Sequence, residues 1–176
     1  MPVATKFAIV IPENTNQTSE LYLAGQELQL LFKEATGATA PIVSENNLEN
    51  YVVEHIFSLG ETYLFQQNNL SLTQELGDTG YIIKSVNGNL FISGNTDVGT
   101  LFGVYGYLEK EFNFDCFDVD CYYIDNNIEY EFVEYNLTEI PYMNYRANGN
   151  KFILSDKTTM YRMRYTDRNY DKFSVG

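Results

Sequence analysis

The chain has 176 residues, with 24 acidic against 11 basic side chains for a formal net charge of −13, and is 44% apolar and 20% charged. That length suits one domain or one domain plus part of another, and that composition belongs to a folding globular chain rather than a disordered one. The average field repels phosphate backbones and anionic lipid, which argues against nucleic acid or a membrane surface as partner, and no stretch approaches the roughly 18 apolar residues of a membrane helix.

Along the chain, Lys6 to Ile11 is a short apolar run ended by Pro12, which predicts a buried strand because it is too short for a helix. Thr18 or Ser19 then caps a helix whose Leu21, Ala24, Leu28, Leu31, Phe32 and Ala35 recur at three- and four-residue intervals, with Gly37 as its C-terminal cap. Ala40 to Val43 and His55 to Leu59 read as two further short strands around a polar loop over 44–54. Gly60 marks a turn, Thr62 to Gln67 one or two helical turns, and 68–77 a loop.

Gly80 to Val86 and Asn89 to Ser93 are β-rich runs joined by Asn87-Gly88, a pair that tolerates positive φ at both positions and so predicts a type I′ hairpin. A second helix follows, capped by Thr96 or Asp97, with Val98, Leu101, Phe102, Tyr105, Leu108 and Phe112 on one face. Val119 to Ile124 and Ile128 to Tyr135 are predicted to pair as strands around 125–127. The order of elements implies an α+β fold, a mixed β-sheet with two amphipathic helices packed on one face. Most basic residues lie between Arg146 and Lys172. That asymmetry predicts a boundary near Pro141, with an N-terminal domain over 1–140 and a tail over 141–176 that shows no clear apolar stripe.

Chemistry-bearing patterns are sparse. His55 is the only histidine, so any Ser-His-Asp or Cys-His set, and any histidine-based metal site, would depend on it alone. Cys116 and Cys121 do not have C-x-x-C spacing; two buried free thiols are expected, a local bridge being the alternative. Gly94, Gly99, Gly103 and Gly106 fail the phosphate-loop template, and the last three, spaced along the helix, predict close packing on the sheet. Asp115, Asp118, Asp120 and Asp125 lack EF-hand spacing and read as a solvated loop rather than a calcium site. Glu129, Glu131, Glu134 and Glu139 would serve hydrolysis only if one lay in a cleft with a raised pKa. No metal and no cofactor is expected. Fifteen tyrosines without tryptophan allow a sugar-stacking platform around Tyr122-Tyr123 and 161–170, or ordinary sheet packing. Asn16, Asn69 and Asn136 head N-x-[ST] sequons.

Three segments carry a family resemblance: GDTGYIIKSVNGNLFISGNTDVGTLFGVYGYLEKEF over 77–112, AGQELQLLFKEATGATAPIV over 24–43, and PYMNYR over 141–146. Together they resemble the hairpin, glycine turn, helices and exit segment of the domain that precedes the TIM barrel in large glycoside hydrolases. Those include the family 67 α-glucuronidases, the family 20 β-hexosaminidases and a related family of big bacterial proteins. The resemblance implies a β-hexosaminidase domain 2-like fold. It also implies a non-catalytic accessory role beside a downstream catalytic domain of the same chain, so that 141–176 leads into a barrel, and a glycoside hydrolase as the parent enzyme. In the hexosaminidase relatives the arginine of the barrel-entry segment contacts substrate, and Arg146 is the residue that matches it. Val98 stands where those relatives often have arginine, and Asn113, Asp115 and Cys116 where they have Gly, Arg and Trp. The alternative reading is an independent carbohydrate-binding or adhesion module using surface tyrosines. The N-terminus lacks the basic-then-apolar signal-peptide pattern, and the compartment stays open, a secreted, periplasmic or cell-surface parent being compatible with the resemblance.

Overall fold

The apolar run at Phe7–Ile11 forms the buried half of strand β1 (Val3–Ile11), which begins further upstream than the run itself. Helix α1 (Glu20–Thr36) starts where Ser19 accepts a hydrogen bond from Tyr22 N, and ends at Gly37 in the left-handed region, whose N–H donates to Lys33 O. All six residues of its predicted stripe are buried. The computed structural model describes residues 2–143, 146 and 151–166.

Strand β2 (Ile42–Ser44) pairs parallel with β1, as a strand returning through a crossover helix must. The loop expected over 44–54 is instead a 3-10 turn over Glu45–Asn50 followed at once by strand β3 (Tyr51–Leu59). Parallel pairing of Val3 with Tyr51 through Val10 with Ser58 supplies the ladder that draws 51–54 into the sheet, a long-range partner that local polarity cannot show. The helical turns expected over 62–67 form helix α2 (Tyr63–Gln67), with Thr62 as its N-cap. Strands β4 (Tyr81–Val86) and β5 (Asn89–Ser93) form the predicted hairpin. Its turn has φ of +51° at Asn87 and +75° at Gly88. A methyl group on Gly88 would meet nothing closer than His55 Nδ1 at 3.8 Å, so backbone strain alone sets the effect of substitution. Gly88→Ala is expected to cost about 1 kcal/mol, read as a lower denaturant midpoint with an unchanged slope, whereas Asn87→Gly should be close to neutral.

Helix α3 (Asp97–Phe112) is capped by Thr96 and closed by Asn113 in the left-handed region. Most of it from Gly99 to Leu108 is buried, well beyond the predicted stripe, though Val98 is only half-buried. The helix lies between the sheet, α1 and the C-terminal tail. Strands β6 (Asp115–Asp118) and β7 (Cys121–Tyr123) make a small hairpin, and β8 (Asn136–Glu139) pairs antiparallel with β4. The main sheet has the order β2-β1-β3-β5-β4-β8. The α+β expectation therefore holds: α1 and α3 cover the face carrying Phe7, Ile9, Phe57, Leu59, Ile83 and Ile92. A smaller cluster of Phe65, Leu76, Ile82 and Phe91 lies apart from it.

Of the strand pair predicted over 119–135 only the first forms, as β7, and it pairs with β6 instead. Residues 124–135 run as coil, and their backbone serves the helices instead: Asp125 N donates to Phe112 O and Asn127 N to Ala35 O, both 2.7 Å. These are carbonyls that helix ends leave without a partner. The apolar alternation that reads as a strand is used one side chain at a time. Tyr130 enters the core and meets Tyr107 hydroxyl to hydroxyl at 2.8 Å, while Phe132 stacks on His55.

The tail adds α4 (Lys151–Ser155) and α5 (Lys157–Arg162), the latter capped by Asp156. Met160 and Tyr161 join the main core.

Burial raises the phenol pKa of Tyr105 and Tyr107 well above 10, helped respectively by Glu27 and Tyr130, and pushes Tyr130 up to about 12. A raised folded-state pKa favours the neutral phenol, so this stability is fully present below pH 10 and is lost as pH rises through the folded values. Alkaline unfolding should begin above pH 10. Phenolate absorbance should then rise in one cooperative step with loss of circular dichroism, instead of as independent titrations.

Candidate functional site

Where β4, α3, the end of β8 and the tail meet, a cavity of about 210 Å³ is lined by Thr79, Tyr81, Glu109, Glu139, Arg146 and Arg164, with Phe102, Pro141, Met143 and Thr166 completing it. The hairpin places Tyr81, and α3 places Phe102 and Glu109 on the same side. The tail is held there by a backbone bond from Thr166 N to Arg146 O at 2.9 Å and by Arg146 N donating to Thr166 Oγ1 at 3.1 Å.

Arg164 is the most constrained group in the cavity. Its Nη2 donates to Glu109 Oε1 at 2.7 Å, and its guanidinium lies 5.5 Å from the Phe102 ring centroid and 5.1 Å from that of Tyr105. Burial pulls its pKa below the usual arginine value, with Glu109 opposing. Its Nη1 is shielded from water and has no hydrogen-bond partner among the described residues. Tyr81 is likewise pushed up to about 12, mainly by burial, so its phenol is a neutral donor at physiological pH. Arg146 lies exposed in the cavity wall. Sequence reading singled out Arg146 and missed Arg164, whose only outward sign is the enrichment of basic residues in the tail of an acidic chain.

The other candidates are dispersed. His55 Nδ1 donates to Gly88 O at 2.8 Å while its ring stacks on Phe132 with centroids 4.7 Å apart, so it braces the hairpin turn. Cys116 is buried and Cys121 exposed, both free, which corrects the expectation of two buried thiols. Cys121 is exposed because its neighbour Tyr122 pairs with Cys116 and packs on the core, which turns Cys121 outwards. Among the described residues no three His, Cys, Asp or Glu side chains gather to hold a metal ion. Asp125 instead accepts from Tyr123 and Asn113. Gly99, Gly103 and Gly106 do lie against the sheet, where added methyl groups would meet Gly80 O, Ile92 and Tyr81. Of the candidates for a sugar platform, Tyr122 and Tyr161 face inwards, Tyr122 donating to Glu34 at 2.8 Å beneath the Arg162 guanidinium and Tyr161 to Glu20 at 3.1 Å, whereas Tyr123 is exposed.

No curated protein matches the chain. Among solved structures, a family GH138 enzyme targeting pectin rhamnogalacturonan II superposes with a TM-score of 0.44 at 14% identity, over 80% of this chain and 12% of its own. A family GH115 4-O-methyl-α-glucuronidase with specificity for decorated arabinogalactans gives 0.41 at 15% identity, over 60% of this chain and 14% of its own. The N-acetyl-β-hexosaminidase of Streptomyces plicatus gives 0.34 at 17% identity, over 59% and 18%. The chain thus spans less than a fifth of the length of each of these proteins, and superposition at this level carries no functional argument. The sequence match is different in kind: residues 5–107, from β1 into α3, match the family described as glycosyl hydrolase family 67 N-terminus. That is more than half of the chain, and the chain belongs to this family.

Proposed function

We propose that the chain is the non-catalytic accessory domain of a glycoside hydrolase, with residues 1–140 as the domain and 141–176 as the passage into a catalytic domain of the same polypeptide. The observation that carries this reading is membership of the family 67 N-terminal family. The way the tail is held supports it. Lys157 pairs with Glu20 at 2.8 Å, Arg162 with Glu27 at 2.7 Å and Arg164 with Glu109 at 2.7 Å, which ties the chain as far as Arg164 to α1 and α3. A passage docked in this way would lend a following domain support, and rigid support is what a barrel active site needs for its geometry. In this reading Arg146 is a residue by which the passage would contact the substrate.

The test compares this chain with the polypeptide continued past Gly176 on a panel of aryl glycosides. Hydrolysis is expected from the longer polypeptide alone, and Arg146→Ala there should lower kcat/KM at least tenfold, on the scale of about 1.4 kcal/mol or more of lost transition-state binding. Hydrolysis by residues 1–176 alone, or a longer polypeptide inactive on every glycoside, overturns the reading.

A further inference from the structure

We propose that the cavity between Arg146 and Arg164 binds a small oxyanion, a carboxylate or phosphate carried on a molecule of a few heavy atoms. Every group involved belongs to this chain, so the inference does not rest on the accessory reading.

Two guanidinium groups line the cavity, yet only one ion pair joins them to the protein among the described residues, Arg164 Nη2 to Glu109. Arg146 has no side-chain partner among those residues. Arg164 Nη1 is desolvated and unanswered, a costly state for a charged donor. Burial lowers the pKa of Arg164, with Glu109 opposing and Arg146 adding a smaller push in the same direction, so the guanidinium is desolvated beside a second cation. An oxyanion answers both conditions, because a planar guanidinium matches a carboxylate or phosphate edge with two parallel N–H donors. Arg146 offers its open edge directly. Arg164, in the same wall, adds Nη1, the donor left without a partner among the described residues.

The uncharged wall fits as well. Tyr81, held neutral by burial, adds a hydroxyl donor that is otherwise unused among the described residues, and Thr79 adds a second hydroxyl. Glu139 is the opposing feature, a carboxylate in the wall that limits affinity. About 210 Å³ is below the range of drug-sized ligand pockets, roughly 300 to 1,000 Å³, which restricts the ligand to a small one. The overall charge of −13 repels anions, so binding here would be a local property of the cavity and not of the chain's average field.

The experiment titrates the chain with sodium acetate, inorganic phosphate and sodium chloride at matched ionic strength, following arginine side-chain NMR resonances and the thermal midpoint. Acetate or phosphate should give saturable shifts of the Arg146 and Arg164 resonances, and the stronger of the two identifies the oxyanion; chloride should not. Arg146 is exposed, so Arg146→Gln should leave the fold intact and weaken binding about tenfold, the scale of one charge-assisted pair. Glu139→Gln should tighten it by about threefold, on the scale of one screened like-charge contact. Shifts that are unsaturable or equal in chloride overturn the proposal, as do titrations unchanged in both Arg146→Gln and Glu139→Gln.

Discussion

Gly103→Val is expected to leave the protein unfolded at 37 °C, and Gly103→Ala to destabilise it, although alanine is the better helix former. A methyl group on Gly103 would lie 2.6 Å from Ile92 Cγ2 and 3.2 Å from the Cβ and Cγ of Tyr81. Helix propensity favours alanine over glycine by about 1 kcal/mol, whereas overpacking a close-packed interior costs about 1 to 3 kcal/mol. The neighbours here are the root of Tyr81 and a branch of Ile92, which cannot swing aside as a flexible side-chain tip does. The clash therefore wins, and α3 must lift from β4 and β5. Gly25 in α1 supplies the control. Its added methyl would meet Ile42 at 3.5 Å or beyond, an ordinary contact, so Gly25→Ala should stabilise by up to about 1 kcal/mol. Opposite signs in the two unfolding midpoints are the expected result; stabilisation by both substitutions would mean that α3 does not sit on the hairpin as described.

The second large effect belongs to the ion pair beneath α5. Arg162 Nε donates to Glu27 Oε2 at 2.7 Å and Nη2 to Oε1 at 3.1 Å, Tyr105 donates to the same carboxylate at 2.9 Å, and the guanidinium lies 4.7 Å from the Tyr122 centroid. The two charged side chains are 9% and 6% exposed. Burial opposes the charge of Arg162, but Glu27 outweighs it and raises its pKa above the usual arginine value. Removing either partner strands the other in the interior, so Glu27→Ala or Arg162→Ala is expected to cost about 3 to 5 kcal/mol, while an apolar pair such as Glu27→Leu with Arg162→Met should recover much of it. A double-mutant cycle by denaturant unfolding measures the coupling. Additive effects below about 1 kcal/mol, the range of exposed ion pairs, would show that the tail is not docked on α1.

Much of the scaffold could be read directly. The caps Ser19 and Thr96, the stripe of α1, and the Asn87-Gly88 turn act within a few residues of themselves, so their signals are local and survived intact. The glycine stripe of α3 was legible as a packing surface for the same reason. Residues 124–135 misled because an apolar alternation states only that side chains will be buried, not that their backbones will pair. Here the backbone caps two helix ends while Tyr130 and Phe132 reach the core singly. The tail misled in the opposite way. Its lack of a stripe reflects burial by pairing, with Arg162 and Arg164 entering as cations that meet Glu27 and Glu109.

The sequence by itself determined the local framework, the α+β class and, through residues 5–107, the family. Tertiary structure alone decided the candidate site, because Tyr81, Glu109, Glu139, Arg146 and Arg164 come from four separate stretches of chain. The reason is physical: a helix cap or a turn acts across a few bonds, whereas a charged cavity exists only once distant segments have been brought together.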